Sequence, residues 1–447
     1  MKLEDIKTIC CLGSGTMGLG TALSIALAGY EDIRLFIQQK IVDGVPEDIE
    51  KKIENRMGGL AKNLQAFVEN GLILADEVPV ILARIKPTSS LEEAATGAHL
   101  VMESIDEILV TKQIALSRLK PYCPHAIVAS NTSGISPTDI ANGLPLCMAN
   151  NVVVAHHFTP AELIPLVEVI PGAITCENKV EVIRAFLEKI GKTPILLKRT
   201  YPGFVVNAIQ FPILAAACDL VTSRIATAET VDQAVREGLK LSEMDIASAL
   251  RGYMEEQKKL AMPTGRFKAF MAKTMRQITK SLHDEAALSD DKLSAHIVDT
   301  IKLAMLNAAS LIVEAGITTP EVIEIALKSS IALRLPQTGP LESADLGGLD
   351  TFHDIFSKTL LMPVPKLILD ALAKGHIGLK KECMNGIYAW TAEKAAEVRA
   401  RRTAALFDHV KSQSGAAQTA PIRPAHTTEE LLPAAAGIEM PSEMAIA

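Results

Sequence analysis

Short apolar runs rich in β-branched residues alternate with amphipathic stretches over the first two hundred residues. IKTICCL (6–12), IRLFI (33–37), HLVMES (99–104), AIVAS (126–130), NVVVAHHF (151–158), PLVEVI (165–170) and TPILLK (193–198) read as strands. Stretches such as 46–72 and 177–191 between them read as helices. That alternation predicts a mostly parallel sheet with helices on both faces. After Tyr201-Pro202-Gly203 the period changes, and from Phe204 to Leu406 the pattern is almost wholly helical. The expected organisation is an α/β domain over 1–200 and an all-α C-terminal domain over 201–411. Inside the helical part, 214–241 and 306–333 share an order of small-residue helix, Thr-containing turn and second helix. The charged, Lys/Met-rich stretch 242–297 reads as additional helices. Residues 412–447, rich in Ala, Pro and Ser without periodicity, predict a disordered tail.

A chain of 447 residues with 48% hydrophobic and 22% charged residues is long enough for two or three ordinary globular domains. The net charge of −7 comes with no sustained basic run, which makes nucleic acid and anionic membrane poor partners. No stretch approaches roughly 20 uninterrupted apolar residues, so no membrane span is expected. The N-terminus is too acidic and turns too early for a signal peptide. Seven cysteines, an odd and scattered set without zinc-ligand spacing, predict a reducing, cytoplasmic setting and no structural metal.

Two local patterns carry chemistry. Gly13-Ser14-Gly15-Thr16-Met17-Gly18 follows the first strand and opens a helical stretch. In that setting the glycines make a tight turn, let backbone approach a pyrophosphate, and pack helix on sheet. The helix N-terminus then faces the phosphates with unpaired N–H groups. An acid normally closes the second strand to hold the adenine ribose. Ile37 and Gln38 stand there instead, with Lys40 close by. Gln38 remains a ribose contact, and NAD is expected with NADP not excluded.

The second pattern is VVVAHHFTPAELIPLVEV (152–169). Neighbours on a strand face opposite sides, so only one of His156 and His157 is expected to look into a given cleft. Glu168 inside an apolar run needs a partner, because an unpaired buried charge is costly. A strand–turn–strand unit would bring a histidine opposite it.

Taken in order, GSGTMG, ESIDEILVTK (103–112), SNTSG (130–134), HHFTP (156–160), PLVEV (165–169) and PGFVVN (202–207) resemble the 3-hydroxyacyl-CoA dehydrogenase family. GPLESADLGGLD (339–350) looks like its helical-domain motif, and GLKKECMNGIYAW (378–390) like a degraded form of its closing glycine-rich signature. PLVEVIPG is closer in style to the carnitine and gulonate dehydrogenase (lambda-crystallin) branch. The resemblance implies a Rossmann-like N-terminal domain and a helical domain through which relatives dimerise, hence a homodimer. It also implies a catalytic histidine at His156 with Glu168 as its partner, and substrate-side roles for Ser133 and Asn207. Glu107 and Lys112 fall on positions near the cofactor. His157 stands where the family has phenylalanine and is assigned to structure.

The implied reaction is hydride transfer to the nicotinamide while His156 takes the hydroxyl proton, a task that suits an imidazole because the unperturbed group titrates at roughly 6.5, near operating pH. The substrate is expected to be a small 3-hydroxy acid or a 3-hydroxyacyl-CoA. Lys51, Lys52, Arg56 and Lys62 are candidates for CoA phosphates, but a solvated helix face is the blander and favoured account. The sequence departs from the family pattern at the missing ribose acid, at Ile108 for asparagine, at Thr159 for the asparagine of H-F-F-N-P, and at Ala208 for arginine. These departures leave open a catalytically weakened dinucleotide-binding or structural protein that keeps the dehydrogenase fold.

Overall fold

The computed structural model describes residues 1–39, 41–42, 45–259, 290–380 and 383–419. The N-terminal part is an eight-stranded sheet in the order β10-β9-β8-β7-β6-β1-β2-β5. Its strands are β1 (Thr8–Leu12), β2 (Asp32–Phe36), β5 (Ile85–Thr88), β6 (Leu100–Glu103), β7 (Ile127–Ser130), β8 (Val152–His157), β9 (Leu166–Pro171) and β10 (Thr193–Leu196); β3 (Ile41–Val42) and β4 (Val45–Pro46) pair separately. Every pairing in the large sheet is parallel except β8 with β9. All seven runs read as strands are strands. The eighth, Ile85-Lys86-Pro87-Thr88, escapes pattern reading because it is short and carries a proline, which an edge strand tolerates.

Strand alternation assigns the core. Ile9, Cys11, Leu35, Met102, Ala129, Val153 and Ala155 point to one face, beneath the helices Thr16–Leu27, Ile49–Glu69 and Glu177–Lys189. Cys10, Leu12, Val101, Val128 and Val152 point to the other, against Leu116, Ile140 and Met148 of shorter helices. Val154, Phe158, Leu166 and Ile170 join a third cluster that runs through the helical part, so the two halves share one packed core at the β8–β9 end of the sheet.

The helical part begins at Val206–Thr222 and continues through Ala228–Gly238, Ile246–Lys259, Asp290–Glu314, Pro320–Lys328, Ile331–Gly347, Leu349–Asp354, Lys366–Ala373 and Ala392–Thr419. The two similar segments form two long helix–short helix hairpins whose second helices start after Thr227 and Thr319. Of the additional helices expected over 242–297, Ile246–Lys259 and the start of Asp290–Glu314 are described; 260–289 lie outside the described residues. Helix Asp290–Glu314 is long and apolar enough to cross a membrane, with a mean hydropathy of 1.4, yet half of that window is buried inside the fold. Its Ile297, Ile301, Met305 and Ile312 belong to the shared core. The last helix runs on to Thr419, past the predicted start of the tail at 412. Most of the predicted tail, 420–447, is outside the described residues.

Two buried aspartates staple the helical part. Asp345 accepts from Ile387 N–H (2.9 Å), Tyr388 N–H (3.0 Å) and the Trp390 indole (2.8 Å). Asp232 accepts from Leu341 N–H (2.8 Å), Glu342 N–H (2.7 Å) and the Tyr388 hydroxyl (2.7 Å). Glycine is required around them: a Cβ on Gly386 would stand 2.2 Å from the Asp345 carboxylate, and one on Gly339 2.5 Å from that of Asp232. The motif at 339–350 and the one at 378–390 are therefore two sides of one hydrogen-bonded joint. Replacing Asp345 by Ala strands three donors, which predicts a loss of about 2–4 kcal/mol in denaturant unfolding. Trp390 is the chain's single tryptophan, so its emission will shift to longer wavelength in the same variant.

Candidate active site

The site is built at the one antiparallel joint of the sheet. There β8 and β9 pair with His156 directly opposite Glu168. His156 Nδ1 lies 2.7 Å from Glu168 Oε2, and both side chains are buried. The other carboxylate oxygen, Oε1, accepts from the backbone N–H groups of Val205 and Val206, each at 2.9 Å. These donors open the helix Val206–Thr222, whose positive end favours a carboxylate. Gly203 (φ 72°) and Phe204 (φ 56°) turn the chain tightly enough to present them. The imidazole is further fixed between Phe158 and Phe204, with centroids 4.5 and 5.5 Å away. With Nδ1 engaged, Nε2 is the nitrogen left for a ligand.

His156 borders a cavity of about 500 Å³ together with Ser133, Asn207, Thr16, Met17, Phe158 and Thr159. Four residues singled out for catalysis, His156, Glu168, Ser133 and Asn207, are thus gathered at one place, Glu168 behind the wall and the others on it. Thr159, at one of the family departures, hydrogen-bonds Met17 Sδ at 3.0 Å and so links the cavity rim to the glycine loop. Ile108, another departure, is exposed.

His157 also borders the cavity, which strict alternation does not foresee. Its ring chemistry is nevertheless different. Nδ1 meets the Ala155 carbonyl at 2.9 Å, and Nε2 is buried without a partner among the described residues. Burial, reinforced by the Lys192 charge, holds its pKa down to about 3, so it is neutral at physiological pH.

The glycine loop fits a dinucleotide. Gly13 has φ 119°, and a Cβ there would stand 2.5 Å from the Ser104 carbonyl; one on Gly18 would stand 2.0 Å from the Gly13 carbonyl. These two glycines are demanded by packing. Gly15 is different: nothing lies within 4 Å of its built Cβ, and it caps Thr16–Leu27 without a side-chain hydrogen bond. The helix Thr16–Leu27 thus opens with first-turn N–H groups that no N-cap side chain takes up, the arrangement that suits a pyrophosphate. Gln38 is exposed just beyond β2, and its carbonyl accepts from Lys52 Nζ at 3.0 Å. Lys40 lies outside the described residues.

Lys112 departs from expectation. It is fully buried, bonded to Glu103 Oε1 (2.8 Å) and the Ile105 carbonyl (3.3 Å), with Glu107 Oε2 at 3.3 Å. It has no free surface for a direct cofactor contact, because its helix face turns inward. Glu107 is half exposed and binds Ser133 N–H (2.8 Å) and the Thr132 hydroxyl. Lys112 and Glu107 thus hold the SNTSG loop in place. Glu103, bonded also to the Ser130 hydroxyl, was not singled out from the sequence; the signal was an acid inside the apolar run HLVMES, as for Glu168. Arg334, Arg402 and Gln210 line the cavity and were likewise unforeseen.

A parallel-rich sheet with a glycine loop, joined to a helical half with the cavity at their joint, defines the Rossmann-like class of dinucleotide-binding folds. Comparison with known proteins agrees. Residues 8–200 match the 3-hydroxyacyl-CoA dehydrogenase NAD-binding domain, and 203–249 with 296–383 match the C-terminal domain of the same enzymes. The chain is 33% identical over 236 residues to a probable 3-hydroxybutyryl-CoA dehydrogenase of Bacillus subtilis, a match covering 53% of this chain and 77% of that one. It is 32% identical over 236 residues to L-carnitine dehydrogenase of Streptomyces griseus, covering 53% and 65%. The structure of FadB2 from M. tuberculosis superposes with a TM-score of 0.56 at 22% identity, over 86% of this chain and 99% of that one, and shows the same fold. The chain belongs to the 3-hydroxyacyl-CoA dehydrogenase family, oxidoreductases acting on CH–OH groups, and its cofactor is NAD. The interruption of the C-terminal match between 249 and 296 coincides with the stretch 242–297 read as additional helices.

The neutral, buried His157 predicts an acid-sensitive fold. Its folded pKa lies below the unfolded value, so its contribution is complete above about pH 6.5 and is lost as pH falls toward 3. The slope reaches about 1.4 kcal/mol per pH unit. Urea titrations at pH 7, 6, 5 and 4 should show that decline, and His157→Phe should flatten it.

Proposed function

We propose that the chain interconverts a 3-hydroxy acid or 3-hydroxyacyl thioester and its 3-oxo form, with His156 as general base and Glu168 as the group that orients it. The carrying observation is the 2.7 Å His156–Glu168 pair at the wall of a cavity that also meets the glycine loop. NAD held at Gly13–Gly18 would supply the hydride acceptor for the carbinol carbon. The hydroxyl proton passes to His156 Nε2 as the C–O bond becomes a carbonyl. Glu168 keeps Nδ1 protonated and stabilises the imidazolium that forms. Its own charge is satisfied by two backbone N–H groups, so it holds position throughout. Ser133 and Asn207 hydrogen-bond the reacting oxygen from the same cavity. The base and its orienting carboxylate have no structural need of a cavity beside them, which favours the enzyme over a non-catalytic protein that keeps the fold.

The reading extends to a cytoplasmic homodimer assembled through the helical half. Ile325, Leu361 and Leu369 are exposed apolar side chains on that half, and all seven cysteines are free, with Cys10 and Cys11 buried. Light scattering should return about twice the chain mass of 47.9 kDa; a single-chain mass contradicts the dimer.

Thermal unfolding should shift upward with NAD and NADH, since a ligand of the folded state raises its apparent stability. His156→Ala should keep that shift and lower kcat/KM by about 10²–10⁴. His157→Ala should stay within about tenfold of the parent at neutral pH. Equal losses for both variants would remove His156 from the role of base. A full NAD shift with no turnover of any hydroxy acid or acyl-CoA would favour the non-catalytic alternative.

A further inference from the structure

The cavity wall opposite the glycine loop carries charge that the hydride-transfer reading does not use. Arg334, from helix Ile331–Gly347, and Arg402, from helix Ala392–Thr419, both line it. Among the described residues Arg334 hydrogen-bonds only neutral acceptors, the Ser330 carbonyl (3.3 Å) and Gln210 Oε1 (3.1 Å). Its guanidinium carbon lies 5.9 Å from the Phe158 ring centre. Among the described residues, neither Arg334 nor Arg402 forms an ion pair. Their neighbours behave differently: Arg236 and Arg401 both pair with Glu342 at 3.1 Å, and Lys380, also on the cavity, pairs with Asp350 at 3.1 Å. Two arginines therefore border one cavity without an ion-pair partner among the described residues. Burial, with repulsion from Arg402, pulls Arg334 down to about 9, and burial lowers Arg402 as well. An anion between them would relieve both costs.

The position of Arg334 selects the anion. The His156 and Phe158 rings are 4.5 Å apart and Arg334 lies 5.9 Å from Phe158, so the guanidinium carbon is within about 10 Å of the imidazole centre. Hydrogen bonds of roughly 3 Å at each end leave room for a few bonds between the carbinol oxygen and the anion. The phosphates of a CoA thioester stand a whole pantetheine arm from the reacting carbon, beyond that radius. Planar, forked donors also suit a carboxylate.

We infer that Arg334 and Arg402 form a carboxylate subsite, and that the substrate carries a carboxylate a few bonds from the carbinol carbon. This rests on the dehydrogenase reading above and narrows its substrate class. The carboxylate has two sources, the head of a short free 3-hydroxy acid or the far end of a dicarboxylic 3-hydroxyacyl thioester.

The test compares NADH production from 3-hydroxybutyrate, 3-hydroxyadipyl-CoA and 3-hydroxybutyryl-CoA, with calorimetric titration of malonate into the protein–NADH complex. One of the first two substrates should exceed 3-hydroxybutyryl-CoA in kcat/KM by about 100-fold or more, and which one it is identifies the source. Arg334→Gln should raise the KM of that substrate and the Kd of malonate by about 100-fold while the Kd of NADH stays within twofold. Arg334→Lys should recover part of the loss, and Arg402→Gln repeats the test from the second helix. If turnover is absent with all three, Arg334-dependent malonate binding still supports the subsite. Preference for 3-hydroxybutyryl-CoA, with its KM unmoved by Arg334→Gln, overturns the subsite and leaves the dehydrogenase intact. Malonate binding that is absent or indifferent to both arginines overturns it too. Failure to bind NADH overturns the parent reading instead.

Discussion

One carboxylate joins the two halves of this molecule to its chemistry. Glu168 sits in a strand, reaches across one antiparallel register position to His156, and receives the first two N–H groups of the leading helix of the C-terminal half. A buried charge is tolerated only when every lone pair is answered. Glu168 is answered by a histidine on one side and a helix N-terminus on the other. The turn at Gly203 and Phe204, the start of the helical domain and the orientation of the imidazole are consequently one constraint.

Around that constraint the cavity divides by task. The wall at Gly13–Gly18 offers backbone donors to a dinucleotide, and its glycines are fixed either by packing or by the need for open approach. Beside it, the SNTSG loop is braced from beneath by Glu103, Lys112 and Glu107. This is a buried ionic network whose value lies in position, since buried ion pairs contribute little net stability. The third wall is helical, supplied by segments that the Asp232 and Asp345 staples hold together. It is also the wall that carries Arg334 and Arg402, which form no ion pair among the described residues.

Much of this was legible from the chain alone, for identifiable reasons. Period-2 apolar runs fix strand faces, and the separation of His156 from Glu168 admits one strand–turn–strand unit. Alternation and that short separation call for one of the two adjacent histidines opposite Glu168; the resemblance selects His156, and the register places it there. Edge strand β5 was hidden by its length and Pro87, and the end of the last helix by an Ala- and Ser-rich composition that suits helix and coil alike. Lys112 was read as a cofactor contact because sequence position does not reveal which side of a short helix meets the core. Arg334 and Arg402 lie far apart in the chain, on two helices, and only tertiary packing brings their charges to one cavity.

The most direct measurement is a crystal structure of the protein with NAD and a bound hydroxy acid. The account predicts the carbinol oxygen about 3 Å from His156 Nε2, with Nδ1 still on Glu168 and the pyrophosphate over Gly13–Gly18. A carbinol oxygen held by another side chain, or an imidazole swung away from Glu168, would contradict it.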